Sequence, residues 1–328
     1  MSHYGHGLLS IYGHPFFFSY SGTEQSSAVQ RQIDFIRPDF IFVHRLAAMC
    51  ALMRGQSRAP KMWFDLDDIE HRARLRAALA RPRHAGKLAY IAHNLNVHRA
   101  ERNAINLASI ATVCSEIDRR YLTRLGLGHH LEVVPNAITV PSQFPPPQQD
   151  RVLLFLGNYN HPPNVDAAQR LLKSIWPLVL AQLPDARLVV AGANSARIGI
   201  STNPPPSVTF CGFVEDIHTV YSQARAVACP ISFGGGTRVK LIEAAAYGKP
   251  IVSTTIGAEG LAFVDGKDIL IRDSNREFAA ACLQVLTDDA TSAELGLSAR
   301  STALRLYDAS LVGAQVSARL DRLMTNDA

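Results

Sequence analysis

The sequence predicts an α/β protein with two parallel-sheet domains, and three observations support this prediction. Its 328 residues correspond to two domains at about 150 residues each. Short apolar segments alternate with helical stretches in both halves, as in chains that build parallel sheets. The proline-rich stretch PSQFPPPQQ, at 141–149, has the composition of a linker. We therefore predict domains at 1–147 and 148–308, followed by a C-terminal helix within 309–328.

Composition excludes several classes of protein. Hydrophobic residues make up 47% of the chain, which suffices for large cores. No run of about 18 apolar residues predicts a membrane-spanning helix, and the N-terminus lacks the basic region and cleavage site of a secretory signal. The five cysteines show neither a C-x-x-C motif nor metal-ligand spacing, and most lie in apolar segments, so we expect most of them to be buried thiols in a reducing cytoplasm.

The first half carries the positive charge. Residues 1–150 hold 17 Lys and Arg against 12 Asp and Glu, whereas residues 151–328 hold 16 of each. For this half, we predict helices over 24–36 and 45–54, with strands over 39–44, 62–64, 110–114 and 131–134.

An acidic cluster follows the predicted strand at 62–64. It places four carboxylates within six residues, at Asp65, Asp67, Asp68 and Glu70. Such a cluster can bind a metal ion, or it can form the acid-rich start of a helix, which the helix dipole favours. We favour the helix start, and both interpretations remain open at this point.

The segment 71–102 is basic and amphipathic, with eight Lys and Arg and one acid. It indicates an anionic membrane surface or a phosphate-bearing acceptor as a partner, or simply a solvated basic face. No nucleic-acid-binding motif accompanies the charge, so we do not expect nucleic acid. If the membrane interpretation holds, anionic vesicles should release the protein when five arginines are replaced: Arg72, Arg74, Arg76, Arg81 and Arg83.

The second half repeats the α/β alternation. We predict strands over 151–156, 187–191, 208–210, 226–231, 251–254 and 269–271. The predicted helices cover 165–181, 237–247, 277–286 and 309–324. Gly248 and Pro250 end the second of these helices in the usual order.

The start of the helix at 237–247 is the predicted anion-binding site. Gly234, Gly235 and Gly236 allow backbone N–H groups to form an anion-binding concavity, and Thr237 can cap the helix. Arg238 and Lys240 stand in the first turn, where a cation is mildly unfavourable until an anion binds. The alternative is a glycine-rich turn with a surface pair between Lys240 and Glu243. This is not a P-loop, because G-x-x-x-x-G-K-[ST] is absent.

The stretch FGGGTRVKLIEAAAYGKPIVST, followed by GAEGL, resembles the donor-binding signature of retaining glycosyltransferases of the family 4 type. This resemblance implies the GT-B fold, in which two Rossmann-like domains face each other across a cleft and a last helix crosses back. It implies a nucleotide-diphospho-sugar donor on the second domain and an acceptor on the first, with no metal or other cofactor. Glu243 matches the final Glu of the family's Glu-x7-Glu motif, which binds the ribose, whereas the first Glu falls at Gly235.

The resemblance extends to further site residues. Gly157 and Asn158 stand where the family often has Gly-Arg, near the diphosphate. Phe213 and Val214 match the loop that receives the nucleobase, although Phe213 could equally be a core residue. The catalytic candidates are Asp67, His44 and Glu243. Asp67-Asp68 replaces the His-Asn or His-Asp of related sequences.

The resemblance implies transfer of a sugar, with retention of configuration, to a glycan or lipid-linked acceptor in polysaccharide biosynthesis. We expect a cytoplasmic protein, peripheral at the inner face of the membrane. Two alternatives remain: a non-catalytic nucleotide-sugar-binding protein and a nucleotide-sugar epimerase. The first half matches the family loosely and lacks its opening strand and glycine-rich loop, so we expect a shortened first domain.

Overall fold

The computed structural model of the protein describes residues 23–53, 60–80, 87–128, 130–141, 148–199 and 204–325. The chain forms two compact units. The first comprises Met1–Pro135, Gly234–Gly236 and Ala314–Ala328, and the second comprises Asn136–Phe233 and Thr237–Gly313. Each unit contains its own parallel sheet, so the predicted α/β class is confirmed.

The sheet of the first unit has four parallel strands in chain order. Its strands are β1 (Phe40–His44), β2 (Lys61–Asp65), β3 (Ile110–Val113) and β4 (Leu131–Val133). Its helices are α1 (Thr23–Ile36), α2 (Arg45–Leu52), α3 (Glu70–Ala80), α4 (Lys87–Leu107) and α5 (Glu116–Arg124). The apolar run of β3 is buried along its whole length, as expected of an inner parallel strand.

The helix α5 shows how sequence fixes an element locally. Ser115 caps it, because the backbone N–H of Asp118 donates to the Ser115 hydroxyl at 3.1 Å. The chain from Ala314 onward belongs to this unit, and Lys61 Nζ donates to the carbonyl of Leu323 at 2.7 Å while Arg319 Nε donates to Glu132 Oε2 at 2.7 Å. None of the described helices is both long enough and apolar enough to cross a membrane.

The sheet of the second unit has six parallel strands in the order β10-β9-β8-β5-β6-β7. They are β5 (Val152–Leu156), β6 (Arg187–Ala191), β7 (Val208–Gly212), β8 (Ala226–Cys229), β9 (Ile251–Ser253) and β10 (Leu270–Ile271). The helices are α6 (Pro162–Arg170), α7 (Trp176–Leu180), α8 (Ile217–Gln223), α9 (Val239–Ala246), α10 (Thr255–Ala258), α11 (Asn275–Thr287) and α12 (Asp289–Leu306). The last helix, α13 (Ala309–Thr325), starts in this unit and continues in the first unit from Ala314. A π-helical turn, Leu171–Ile175, joins α6 to α7.

Two differences from the sequence prediction concern the helical segments at 165–181 and 289–306. The helix predicted at 165–181 starts earlier and is interrupted by the π-helical turn, ahead of Pro177, which lacks a backbone N–H. The 18-residue helix α12 was not predicted. Its Gly296 is needed for packing, because a Cβ there would lie 2.2 Å from the carbonyl oxygen of Gly248.

Candidate functional site

The strand order of the second unit defines a position for a ligand. The chain runs from β5 outward through β6 and β7 and then returns to β8 on the other side of β5. The order therefore reverses between β5 and β8. In open parallel sheets, ligands bind outside the carboxyl ends of the strands at such a reversal. Gly157 and Asn158 follow β5, and the segment leading to α9 follows β8.

Gly157 and Asn158 have structural partners at this edge of the sheet. Gly157 packs against backbone, because a Cβ on Gly192 would lie 1.8 Å from the Gly157 carbonyl oxygen. The carbonyl of Asn158 accepts from Asn164 Nδ2 at 2.9 Å, and its side-chain oxygen accepts from the N–H of Asn160 at 3.0 Å. Both residues therefore shape the turn after β5 and fix Asn164 beside it.

The helix α9 begins later than predicted, and the cap expected at Thr237 is wrong. Arg238 occupies the N-cap position with φ −92° and ψ 88°, and no side chain caps the helix. The hydroxyl of Thr237 instead accepts from Asn136 Nδ2 at 2.7 Å. Along α9, Ile242 and Ala246 are buried, whereas Val239 is exposed.

Lys240, in the first turn of α9, is a cation held by neutral groups. Its Nζ donates to Asn164 Oδ1 at 2.8 Å and lies 4.9 Å from the centroid of the Phe155 ring. Burial, together with the positive charge of Arg238, lowers the pKa of Lys240 to about 8. The amino group of Lys240 therefore connects the start of α9, which follows β8, with the residues that follow β5.

Glu243 is one turn further along α9 and contacts Tyr221. The Tyr221 hydroxyl lies 3.1 Å from Glu243 Oε2 and 3.1 Å from the carbonyl of Lys240. Tyr221 is fully buried and stacks on Tyr247, with ring centroids 4.7 Å apart. Burial raises the pKa of Glu243. Lys240 and Glu243 therefore hold different partners, so the surface-pair interpretation is wrong.

The glycines before this helix belong to the first unit. Gly234 and Gly236 have φ of 124° and 66°, a region that favours glycine. A Cβ on Gly235 would lie 2.2 Å from Asp68 Oδ1 and 2.8 Å from the Ala73 methyl carbon. A glutamate at this position could not be accommodated without movement, which is a physical reason for the departure from the Glu-x7-Glu pattern.

Phe213 and Val214 follow β7, the edge strand of the six-stranded sheet. Phe213 is 73% exposed, so the alternative that it is a core residue is wrong. Val214 is partly buried and packs on the core of the second unit. An exposed aromatic ring at a carboxyl strand end is compatible with stacking on a base.

Two carboxylates of the acidic cluster in the first unit have basic side chains as partners. His44 Nδ1 lies 2.9 Å from Asp65 Oδ2, and Arg45 Nε donates to Asp67 Oδ2 at 3.0 Å. Of the four acids, Glu70 alone lies in the first turn of α3, and it contacts Arg74 at 3.4 Å. The prediction of an acid-rich helix start is therefore correct for Glu70 alone, while Asp65 contacts His44 and Asp67 forms an ion pair with Arg45.

Two residues at this site, Asn164 and Tyr221, were missed by sequence reasoning. Asn164 follows a Pro-Pro pair and shows no binding motif. Tyr221 falls in an amphipathic helix where an aromatic residue predicts only core packing. Both residues act through contacts that are distant in sequence. Asn164 is 76 residues away from Lys240, and Tyr221 is 22 residues away from Glu243.

Comparison with known proteins points to sugar-transferring enzymes. Residues 150–288 match the family described as glycosyl transferases group 1. Phosphatidyl-myo-inositol mannosyltransferase of Mycobacterium tuberculosis is 28% identical over 218 residues, covering 62% of this chain and 56% of that protein. An uncharacterised 44.6 kDa protein of the Klebsiella pneumoniae cps region is 25% identical over 170 residues, covering 49% and 43%. The chain spans about half the length of these curated relatives.

Solved structures show the same fold. Sucrose-phosphate synthase of Thermosynechococcus elongatus gives a TM-score of 0.72 at 16% identity, covering 91% of this chain and 77% of the other. Anabaena HepE in complex with UDP-glucose gives 0.70 at 17% identity, covering 91% and 82%. TarM of S. aureus, in a complex that contains UDP, gives 0.70 at 14% identity, covering 90% and 58%. The chain has the α/β fold of the GT-B class, which confirms the fold expected from the resemblance.

Proposed function

We propose that this protein is a glycosyltransferase that uses a nucleotide-diphospho-sugar and transfers the sugar to a glycan or lipid-linked acceptor with retention of configuration. The observation that carries the proposal is Lys240, a desolvated cation at a helix start, at the point where the strand order reverses. The group 1 glycosyltransferase match over residues 150–288 supports the same reaction class.

The site is suited to a diphosphate because its positive charge is unfavourable as long as no anion is bound. Burial disfavours the charged form of Lys240, and the amide and ring that contact it do not neutralise it. Cations at a helix N-terminus are unfavourable by roughly 0.3–1 kcal/mol. A bound diphosphate reverses both effects, since it supplies the opposite charge at the N-terminal end of the helix.

The same charges assist the chemical step. When the bond between the sugar and the diphosphate breaks, negative charge develops on the leaving diphosphate. Arg238 and Lys240 are already placed, so they stabilise this charge without rearrangement. Gly234, Gly235 and Gly236 directly precede them in the chain, and the sequence prediction assigns their backbone N–H groups to the same anion.

Glu243 is assigned to the ribose. The Tyr221 hydroxyl occupies Oε2 and leaves Oε1 to accept from a ribose hydroxyl. Charge-assisted hydrogen bonds of this kind contribute roughly 1.5–3 kcal/mol. Phe213 and Val214 are assigned to the base, and His44 and Asp67 remain candidates for a role near the transferred sugar.

The acceptor is proposed to contact the first unit, and a lipid-linked acceptor would bring that unit to an anionic membrane surface. The relative named phosphatidyl-myo-inositol mannosyltransferase acts on a lipid by its name. On α3, Leu75 and Leu79 are exposed, whereas Arg72 and Arg74 pair with Asp118 and Glu70. Arg81 and Arg83 lie outside the described residues. Binding to anionic vesicles at low and high salt tests this assignment.

The reaction itself is tested with a panel of nucleotide sugars, starting with UDP-sugars because structural neighbours were solved with UDP or UDP-glucose. Release of nucleoside diphosphate is followed without and with glycan or lipid-linked acceptors. The proposal predicts release that is stimulated by an acceptor, with the anomeric configuration of the donor kept in the product by NMR. Isomerised nucleotide sugar would identify an epimerase, and binding without turnover across the panel would identify a non-catalytic binding protein.

A further inference from the structure

Three side chains of the metal-ligand type lie together in the first unit, two of them buried and one half-buried. It consists of His71, in the first turn of α3, and of His98 and Glu101, which are three residues apart on α4. One ligand atom from each side chain lies within 4.8 Å of the others. His71 is 6% exposed and Glu101 is 1% exposed, so solvent does not satisfy their polar atoms.

The surroundings hold two of these side chains in fixed orientations. The backbone N–H of His71 donates to Glu101 Oε1 at 3.3 Å, which turns Oε2 toward the His71 ring. On the far side of that ring, Nε2 lies 2.7 Å from the hydroxyl of Tyr121. Asn94 Nδ2 donates to the carbonyl of His71 at 2.8 Å. Metal-binding imidazoles usually have such a partner for the ring nitrogen that does not bind the metal.

His98 supplies the second, independent observation. Its ring meets the His71 ring edge to face, with centroids 4.6 Å apart. Among the residues that the structure describes, its Nδ1 is buried without a hydrogen-bond partner, and so is Oδ1 of Asn94, one helical turn earlier. Buried polar atoms without partners are costly, and each such atom calls for an explanation. A cation bound through Nδ1 of His98 would satisfy this nitrogen.

We propose that His71, His98 and Glu101 bind a divalent first-row transition metal, with zinc as the first choice. Two imidazoles and one carboxylate form a donor set that zinc uses in proteins, with the fourth position left to water. Tetrahedral zinc places its ligand atoms about 3.4 Å apart, so the short hydrogen bond between His71 Nδ1 and Glu101 Oε2 must lengthen as the ion enters between them. The ion would join α3 to α4, and through the Tyr121 contact it would fix α5 as well.

This site is not where the sequence prediction placed a possible metal. That alternative fell on the acidic turn at 65–70, whose carboxylates pair with His44 and Arg45. The His-x-x-Glu spacing at His98 and Glu101 puts both ligands on one face of a helix, and this signal was available in the sequence. The third proposed ligand, His71, is 30 residues away from Glu101 in the sequence, so the structure was needed to show that it lies beside the other two.

The test uses the full-length protein after treatment with a chelator. Isothermal titration with Zn²⁺ should show one ion per chain, and titration with Co²⁺ should give the visible spectrum of a tetrahedral site. Thermal unfolding should shift upward with Zn²⁺, because an ion that binds the native state stabilises it. His98→Ala should weaken Zn²⁺ binding by more than tenfold and abolish the thermal shift, and Tyr121→Phe should weaken binding by about tenfold.

His93→Ala is the matched control, since His93 is also on α4 and is not one of the three ligands. It should bind Zn²⁺ like the wild type. The proposal is overturned if the wild type shows neither Zn²⁺ binding nor a thermal shift, which would leave a hydrogen-bonded cluster only. It is also overturned if His93→Ala loses the ion while folded His98→Ala keeps it. None of these readouts depends on glycosyl transfer.

Discussion

Charged side chains follow the ends of parallel strands in both units, but the partners of these charges differ. In the first unit, Asp67 pairs with Arg45, and Asp65 pairs with His44. In the second unit, the charge of Lys240 meets an amide oxygen and an aromatic ring. A carboxylate that already holds a cation gains little from a further ligand, whereas a desolvated cation with neutral partners gains much from an anion.

The energies of the two regions differ accordingly. Exposed ion pairs contribute about 0–1 kcal/mol, and the Arg45 side chain is 61% exposed. The fall in the pKa of Lys240 from 10.5 to about 8 corresponds to about 3 kcal/mol against its charged form. Binding of a diphosphate would therefore offset the unfavourable free energy of the charged form of Lys240, whereas the acidic region has no such gain. The two regions should accordingly respond differently to mutation.

The largest effect is expected from replacing both Arg238 and Lys240 with Gln. Each cation loses charge-assisted contacts to the diphosphate of roughly 1.5–3 kcal/mol, so affinity for UDP should fall about a hundredfold or more. Affinity for uridine should change little. Calorimetry with both ligands measures the difference.

The same double variant should be as stable as the wild type, or more stable. Because the folded pKa of Lys240 lies below 10.5, its charge destabilises the fold below about pH 8, and this penalty fades as pH rises from about 8 to 10.5. Removing the charge should therefore raise the melting temperature at pH 7 without ligand. A double variant that melts much lower and binds UDP normally would make the two cations structural.

The next effect concerns Glu243. Glu243→Ala should weaken nucleotide binding by roughly 1.5–3 kcal/mol, because the carboxylate no longer accepts from the ribose. Tyr221→Phe, which keeps the carboxylate but removes its hydroxyl partner, should cost roughly 0.5–1.5 kcal/mol. Calorimetry with UDP measures both variants. Unchanged affinity in folded Glu243→Ala would assign this residue to structure.

A third effect tests why a glycine replaces the first glutamate of the family motif. Gly235→Ala should destabilise the protein by about 1–3 kcal/mol, because its Cβ would lie 2.2 Å from Asp68 Oδ1. Gly313→Ala is the matched control, since a Cβ there meets nothing within 4 Å. Denaturant unfolding of both variants measures the difference, and equal stabilities would show that the space at Gly235 is not limiting.

The smallest effect is expected in the acidic region. Asp67→Asn removes an ion pair with an exposed arginine, so stability should fall by at most about 1 kcal/mol. Its affinity for UDP should stay within about twofold of the wild type, because the carboxylate is already neutralised. A large loss of UDP affinity in this variant would remove the contrast between the two regions.

The sequence predicted the sheets better than the contacts of the site. Buried runs such as VLLFL and IATV located β5 and β3 to within a residue, because inner parallel strands are apolar throughout. The helix α12 was missed because Gly296 and several Ser and Thr residues lower helix propensity. Packing against Gly248, rather than local preference, explains the glycine there.

For the site, spacing alone placed Arg238, Lys240 and Glu243 on one helix start. It could not show that Lys240 would reach Asn164 or that Glu243 would meet Tyr221, because these contacts depend on how α6 and α8 pack around β5. It also could not show that Thr237 would bond to Asn136 and leave the helix uncapped. Periodicity describes one element, whereas these contacts join several.

The central claim is that Lys240 is the cation that receives the diphosphate, and its lowered pKa provides the most direct test. Affinities for UDP and uridine are measured from about pH 7 to about 9.5, where the diphosphate stays fully ionised. The account predicts that the preference for UDP over uridine falls once pH exceeds about 8, by about tenfold per pH unit, as free Lys240 loses its proton. Lys240→Gln should show a weaker preference that does not change with pH. A wild-type preference that stays constant across this range, or a variant with the same decline, would contradict the account.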